Sequence, residues 1–284
     1  MTITTLYQFE FNGQAFGGAG SPYQIQSVDG LESLPSIRNQ DDNRGYNDGM
    51  FTGRDFVSAR TISIIFNTFA SPSASAQANY NTIQQALLPQ TSGTSPLYFK
   101  LSNAAGEQLV YARVRTLRTT VDPNYTYGYI TSQVEFYAPL PYYYDSTLNT
   151  LSMTIGSGLG RVYNRTYNLT YTTGSAPYTV VNNAGWANAY PTITFNGPVT
   201  NPIFGNVTQG EYIYLYGNFV DTDSVVINLQ DKLITLNGNP ARNLMLGGSE
   251  WFSASPGNNN FFWYGTGTLA GTTAVSVSWR NAYI

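Results

Sequence analysis

Ser224-Val-Val-Ile-Asn-Leu229, Lys232-Leu-Ile-Thr-Leu-Asn-Gly-Asn-Pro240, Trp251-Phe252, Pro256-Gly-Asn258 and Ala274-Val-Ser-Val-Ser-Trp279 are the segments that decide the fold of this chain. Between Asp223 and Arg280 they read as strand, tight turn, strand, loop, strand, turn, strand. Val225, Ile227 and Leu229 share one parity, as do Leu233 and Thr235, and then Val275, Val277 and Trp279. Apolar residues two apart fall on one face of a half-buried strand. Asn237-Gly238 and Pro256-Gly257-Asn258 supply residue types that accept the positive φ angles of turns. The block predicts the last strands of an antiparallel sandwich and carries no pattern of reaction chemistry.

Working outward, the 284 residues suffice for two domains or one large all-β domain. Only 10% of residues are charged, against the usual quarter, while there are 23 Tyr, 27 Gly and 27 Asn. Such a surface suits protein contact, because Tyr and Asn give area and hydrogen bonds at low entropic cost. It equally suits a chain selected for β-propensity and for stability outside a cell. The net charge is −3 and Lys100 and Lys232 are the only lysines, so a basic nucleic-acid-binding face is not expected. No Cys is present, which removes disulfides and thiolate metal sites and points to assembly in a reducing cytoplasm. Met1-Thr-Ile-Thr-Thr-Leu-Tyr7 has neither a positive nor an apolar signal region, and no apolar run approaches ~18 residues. Neither a signal peptide nor a membrane span is expected.

In the first half, Leu6–Asn12, Tyr23–Val28, Phe51–Val57, Arg60–Phe66, Leu97–Leu101, Leu109–Leu117 and Tyr129–Tyr137 alternate as strands. Gly13–Pro22 reads as a glycine-rich loop and Leu34–Gly49 as a long polar loop. A structureless loop of that length in a compact domain is usually functional or an inter-subunit arm. One helix is expected over Ala74–Leu88, capped by Ser71 or Ser73, with Tyr80, Ile83, Leu87 and Leu88 as its apolar stripe and Pro89 as its stop. Ala138-Pro-Leu-Pro-Tyr-Tyr-Tyr-Asp145 reads as a linker, because Pro removes ladder donors. Residues 1–141 and 142–284 are accordingly taken as two domains. Beyond the linker, Ser146–Ile155, Arg161–Tyr171, Thr192–Asn196 and Tyr212–Tyr216 are short strands at sandwich spacing.

Candidate chemistry is sparse. Without His or Cys, Ser-His-Asp and Cys-His sites are impossible. A two-carboxylate glycosidase is formally open, but the acids are scattered through turns. Asp41-Asp42-Asn43-Arg44-Gly45 begins like a calcium loop, yet Tyr46 and Thr52 stand where an EF-hand needs Gly and Glu. No catalytic residue, cofactor or metal ligand is therefore assigned. Arg113 and Arg115 share a strand face, with Arg118 just beyond. Tyr212, Tyr214 and Tyr216 share a face opposite Ile213 and Leu215; the aliphatic face is expected to be core, and the tyrosines to contact protein or glycan or to form an ordinary cross-strand aromatic ladder. Trp186 and Trp251 could likewise serve as sugar platforms or lie buried.

Several stretches together resemble a known family. In the first half these are Gly30-Leu-Glu-Ser-Leu-Pro-Ser-Ile-Arg38, Asp48-Gly-Met-Phe-Thr-Gly-Arg-Asp-Phe56, Arg60-Thr-Ile-Ser-Ile64 and Val134-Glu-Phe-Tyr-Ala-Pro139. In the second they are Tyr190-Pro-Thr-Ile-Thr-Phe-Asn-Gly-Pro198, Asn201-Pro-Ile203, Leu236-Asn-Gly238, Ser249-Glu-Trp-Phe252, Pro256-Gly-Asn258 and Ser278-Trp-Arg-Asn-Ala-Tyr283. In this order they resemble the siphovirus-type tail component family, the distal tail proteins of long-tailed phages and the minor tail proteins of actinobacteriophages. The resemblance implies a mainly β chain with an N-terminal split-barrel domain carrying one helix, related to tail-tube proteins, and a C-terminal galectin-like sandwich. It implies a ring of six copies at the distal tail end, joining the tail tube to a tail-associated tip protein and receptor-binding proteins. It implies no enzyme activity. Arg38, Asp41, Asp42, Arg44 and Tyr46 are the expected inter-subunit contacts. The alternative is a carbohydrate-binding adhesin module for host cell-wall glycan, with Tyr212, Tyr214 and Tyr216 in contact; the histidine of a galectin sugar site is missing.

Overall fold

The computed structural model describes residues 3, 5–70, 73–101, 106–120, 122–153, 178–266 and 275–284. The chain divides into two compact units, Met1–Ser146 with Ile284, and Thr147–Tyr283. It is mainly β, with one α-helix among the described residues.

The strands of the first unit are β1 (Gln8–Phe11), β2 (Gln14–Gly17), β3 (Tyr23–Asp29), β4 (Ile37–Arg38), β5 (Asp42–Asn43), β6 (Met50–Phe51), β7 (Phe56–Val57) and β8 (Arg60–Phe69). The helix α1 (Ser73–Ala86) follows, then β9 (Ser95–Lys100), β10 (Gln108–Thr120), β11 (Tyr129–Ala138) and β12 (Tyr143–Asp145). The antiparallel order is β2-β1-β9-β10-β11-β8-β3. β10 is long enough to serve two sheets. Its first half pairs with β9 and β12, and its second half with β11, after a register break between Val114 and Thr116. A bulge of this kind bends a strand and strengthens its twist, which lets one strand turn the corner of a split barrel.

Alternation fills the interior. Ile62, Ile64 and Phe66 of β8, Phe9 and Phe11 of β1, and Val134 and Phe136 of β11 are buried together. Phe11 meets Phe136 edge-on, with ring centroids 5.0 Å apart. The helix adds Ala76 and Ile83, Leu87 just past its end packs with them, and Tyr80 donates to or accepts from Thr119 Oγ1 at 2.7 Å. Leu88, expected in the same stripe, is instead exposed: the Leu87 N–H still bonds to the Ile83 carbonyl and Leu87 is buried, and the next residue turns out to solvent. The expected capping serines fall where no side chain is described.

Two expectations in this unit are corrected. Gly13–Pro22 is not all loop: Gln14–Gly17 is a strand that closes a hairpin on β1, with Phe11 paired to Gln14. Asn12 (φ 49°) and Gly13 (φ 81°) form its two-residue turn, and positive φ at both positions is what matches the twist of the flanking strands. Phe51–Val57 is not one strand but the separate β6 and β7. The proline-rich stretch before Tyr142 leads directly into β12, which pairs Leu109 with Tyr144.

The second unit contains β13 (Asn149–Met153), β14 (Tyr178–Asn183), β15 (Thr192–Asn196), β16 (Val199–Asn206), β17 (Glu211–Tyr214) and β18 (Asn218–Phe219). It continues with β19 (Ser224–Asn228), β20 (Leu233–Leu236), β21 (Asn239–Pro240), β22 (Gly257–Thr266) and β23 (Val275–Trp279). One sheet runs β13-β23-β15-β19-β20-β21 and the other β14-β22-β16-β17, with β18 also on β16. They pack face to face. Phe195 of the first sheet stacks on Phe204 of the second at 5.2 Å, and Trp263 lies beyond Phe204 at 6.2 Å. Trp263 Nε1 donates to the Met153 carbonyl at 3.1 Å, so the buried indole is satisfied.

Val225, Ile227, Leu229, Val275, Val277 and Trp279 are buried as their parity requires. The β20 parity is reversed: Ile234 is buried, whereas Leu233 is 40% exposed. The turn at Asp231–Lys232, with Lys232 at φ 53°, resets which face the next strand presents. Trp251-Phe252 precedes its strand rather than forming it, since β22 starts at Gly257. The expected strand Arg161–Tyr171 lies outside the described residues.

Asparagine, read above as surface chemistry, is also core chemistry here. Asn183, Asn206 and Asn259 are fully buried. Asn183 Nδ2 donates to the carbonyls of Ala187 and Ala254 at 2.7 and 3.0 Å. Asn206 Nδ2 donates to the Ser253 carbonyl and to Asn259 Oδ1, while its Oδ1 accepts from the Thr208 N–H. These amides replace the backbone partners that loops lack, which is how irregular chain is kept inside a sandwich.

Candidate assembly surface

Residues 34–57, expected to begin as a structureless loop, form a two-stranded arm. At its base the Ser58 N–H donates to the Ser36 carbonyl at 2.8 Å. β4 pairs with β7 (Arg38 opposite Phe56), and further out β5 pairs with β6 (Asp42 opposite Phe51). Between the two ladders, Asp41 Oδ1 accepts from the Gly53 N–H at 2.8 Å. A Cβ on Gly53 would stand 1.9 Å from the Gln40 carbonyl oxygen, so the two strands can approach this closely only with glycine there.

The arm holds its apolar side chains in solvent. Leu34 is 77% exposed, Ile37 64% and Phe51 61%, and Tyr46 at the tip is fully exposed. Its cations sit over its own rings: Arg38 and Arg54 over Phe56 at 5.4 and 5.3 Å, and Arg44 over Phe51 at 5.0 Å. A guanidinium over an aromatic face is held electrostatically and keeps its flat donors outward. Of the five expected contact residues, Arg38, Asp42 and Arg44 lie on or beside the paired strands, Asp41 braces the arm, and Tyr46 caps it.

The root of the arm is fastened by a residue that the sequence placed at the start of a strand and in a stretch of the resemblance, with no role of its own. Arg60 is 2% exposed. Its Nη1 donates to the carbonyls of Gly30, Leu31 and Ser33 at 2.9, 2.6 and 2.7 Å, and its Nε to the Pro141 carbonyl at 3.1 Å. Thus one side chain joins the segment entering the arm to the segment leaving β11. Burial pushes the Arg60 pKa down, with Tyr143 opposing, and burial pushes the Tyr143 phenol up. Arginine starts so high that it stays charged. The signal was legible: Arg60 shares the inward parity of Ile62, Ile64 and Phe66, where a cation must find acceptors.

The second candidate surface lies in the second unit. Tyr212 and Tyr214 stand side by side on the outer face of β17, with ring centroids 6.3 Å apart, while Ile213 and Leu215 are buried. Tyr216 is 65% exposed and lies past the end of β17. Trp186 is exposed as well, and Trp251 is half-buried beneath Arg242 at 5.7 Å. Arg113 and Arg115 both lie over Tyr137, at 5.6 and 4.3 Å. Among the described residues no three acidic side chains gather as a metal site would require, and no helix is long and apolar enough to cross a membrane.

Residues 184–283 match the family model described as the siphovirus-type tail component, C-terminal domain. The second unit thus carries the tail-component resemblance. That family is structural rather than enzymatic. No curated protein sequence matches the chain. Among solved structures, the chain is similar to the Dit protein of phage SPP1, described as a paradigm of the hub adsorption apparatus of phages infecting Gram-positive hosts. The TM-score is 0.67 with 16% identity, over 98% of this chain and 99% of that one. It is also similar to a chain of the phage P2 baseplate in its activated conformation with Ca, with a TM-score of 0.50 and 10% identity over 95% and 97%. At such identities the likeness is one of fold, and it extends over both units.

Proposed function

We propose that this protein is a structural component of the distal end of a long-tailed phage, where six copies close into a ring. The ring joins the tail tube on one side to a tail-associated tip protein and receptor-binding proteins on the other, and is assembled in the host cytoplasm. The first unit forms the ring; the second is a galectin-like sandwich directed to the tip. The observation that carries this reading is the arm. A cyclic ring needs two different patches per copy that meet head to tail. The two-stranded arm offers open strand edges and exposed apolar side chains, the ingredients of strand addition to a neighbour. Arg38, Asp42, Arg44 and Tyr46 would meet the neighbour directly, with Asp41 shaping the arm.

Deletion of Asp41–Asn47 tests it. The full chain mixed with its tail neighbours is expected to give six-membered rings by light scattering and negative-stain electron microscopy. The deletion variant, with its thermal unfolding unchanged, is expected to remain a monomer. A ring of unchanged mass in the variant would remove the arm from the interface, and a solitary full-length particle that consumes a substrate would overturn the whole reading.

A further inference from the structure

The outer face of the β14-β22-β16-β17 sheet has a composition unlike the rest of the surface. Cross-strand register places Tyr178, Phe262, Gly205 and Tyr212 side by side in one row. The next row holds Tyr264, Ile203 and Tyr214. The opposite faces of the same strands carry the buried Val181, Phe261, Trp263, Phe204 and Ile213, so these rows point to solvent. Tyr178 and Tyr264 are each 39% exposed, Phe262, Tyr212, Ile203 and Tyr214 are half-buried, and Gly205 is covered.

Gly205 explains the flatness. A Cβ there would stand 2.2 Å from Tyr212 Cδ1 and 2.7 Å from its Cε1, so the Tyr212 ring lies across the glycine rather than standing away from the sheet. A ring laid over a strand glycine covers the backbone and presents its π face outward. Neither row holds a charged side chain, and the rows beyond add the amides of Asn260, Asn182 and Asn258.

We propose that this face is a binding platform for a neutral glycan. Pyranose rings present an apolar C–H face that stacks on aromatic π faces, which carry partial negative charge, and an edge of hydroxyls that suits Tyr hydroxyls and Asn amides. The rows themselves carry no charge, and the exposed Glu250, whose N–H donates to the Tyr212 carbonyl at their edge, disfavours a phosphate- or carboxylate-bearing polymer and leaves a neutral one. Size argues against a protein partner. Four strands span about 14 Å and the two aromatic rows about 7 Å, so the aromatic part of the face is far below the roughly 800 Å² per partner of a stable protein interface. A short run of sugar rings fits it.

The test is affinity gel electrophoresis of the full chain in gels containing a soluble β-glucan, galactan or mannan, with poly(glycerol phosphate) as the charged comparison. At least one neutral polymer is expected to retard the protein. Tyr212→Ala is expected to weaken that retardation at least tenfold with unchanged thermal unfolding. Gly205→Ala is expected to weaken it too, because it displaces the Tyr212 ring while keeping every aromatic residue. The proposal is overturned if no neutral polymer retards the chain, if only the charged polymer does, or if Tyr212→Ala is retarded like the parent. It is equally overturned if Tyr212→Ala loses a tail protein and no glycan, which would make the face a protein-docking surface. Ring mass measured on the same variants is expected to be unchanged, so failure here leaves the preceding reading standing.

Discussion

The arm of the first unit and the outer face of β17 both hold aromatic side chains out of the core, but on opposite kinds of support. The tyrosines of β17 stand on a strand whose other side is buried in a sandwich, so their positions follow from Ile213 and Leu215 packing beneath them. The arm has no such backing. Its ladders are two residues long on each strand, and a lone two-stranded ribbon is marginal in water. Order comes instead from individual fastenings: Asp41 on Gly53, cations on rings, and above all Arg60 at the root. A surface backed by a core should survive single substitutions. One built from fastenings should fail when a fastening is cut.

Arg60→Met is therefore expected to have the largest effect on the fold. It leaves the buried carbonyls of Leu31 and Pro141, and the part-buried ones of Gly30 and Ser33, without their donor. Each orphaned buried acceptor costs about 1–3 kcal/mol, less than additively, so a loss of about 3 kcal/mol from the first unit is expected. Hydrogen exchange followed by mass spectrometry should show faster exchange over residues 30–58 and unchanged exchange in β15, β19 and β23. If residues 30–58 exchanged at the parent rate, the arm would be held by something other than Arg60.

The counterpart in the second unit is Asn206→Ala. It removes the donor to the Ser253 carbonyl and the acceptor of the Thr208 N–H, and it unsettles Asn259. A destabilisation of about 2 kcal/mol is expected by chemical denaturation. Exchange in the arm should not change. A loss below ~0.5 kcal/mol would mean that water replaces this amide without cost.

How much of this could be read from the residues follows the same division. Wherever one side of a strand is core, spacing is informative: Thr192–Asn196 was bounded to the residue, and Ile213 and Leu215 were placed inside. Ile234 was missed because the turn before it resets parity, and parity says nothing across a turn. The hairpin at Asn12-Gly13 was missed although its dipeptide is a strong turn signal, because the surrounding glycines were read together as loop. The arm was singled out only in its first half, Leu34–Gly49, by its length as a loop, and the second half was read as one strand. Its apolar residues, Leu34, Ile37, Tyr46, Met50 and Phe51, follow no period, since no face of it packs on its own core. Spacing reports which side of an element a residue occupies, and only three-dimensional register brought Tyr178, Phe262 and Tyr212 into one row.

The smallest expected effect concerns an exposed fastening, and its sign can be worked out. Asp223 Oδ1 accepts from Asn237 Nδ2 and its Oδ2 from the Val220 N–H, both at 2.9 Å. The Asn237 bond first, then the Val220 bond, hold the carboxyl below the ordinary aspartate value, with slight desolvation opposing. A group whose folded-state pKa is depressed adds stability above its unfolded pKa and loses it as the pH falls through the folded value. The contribution should thus be complete above the ordinary aspartate range, about pH 3.9, and vanish at more acidic pH. Asp223→Asn is expected to flatten this part of the acid dependence, measured as the denaturant midpoint of the second unit from neutral to strongly acidic pH. An identical acid profile in the variant would show that the Asp223–Asn237 contact contributes nothing, and that Asn237 (φ 49°) and Gly238 (φ 81°) hold their turn by backbone preference alone.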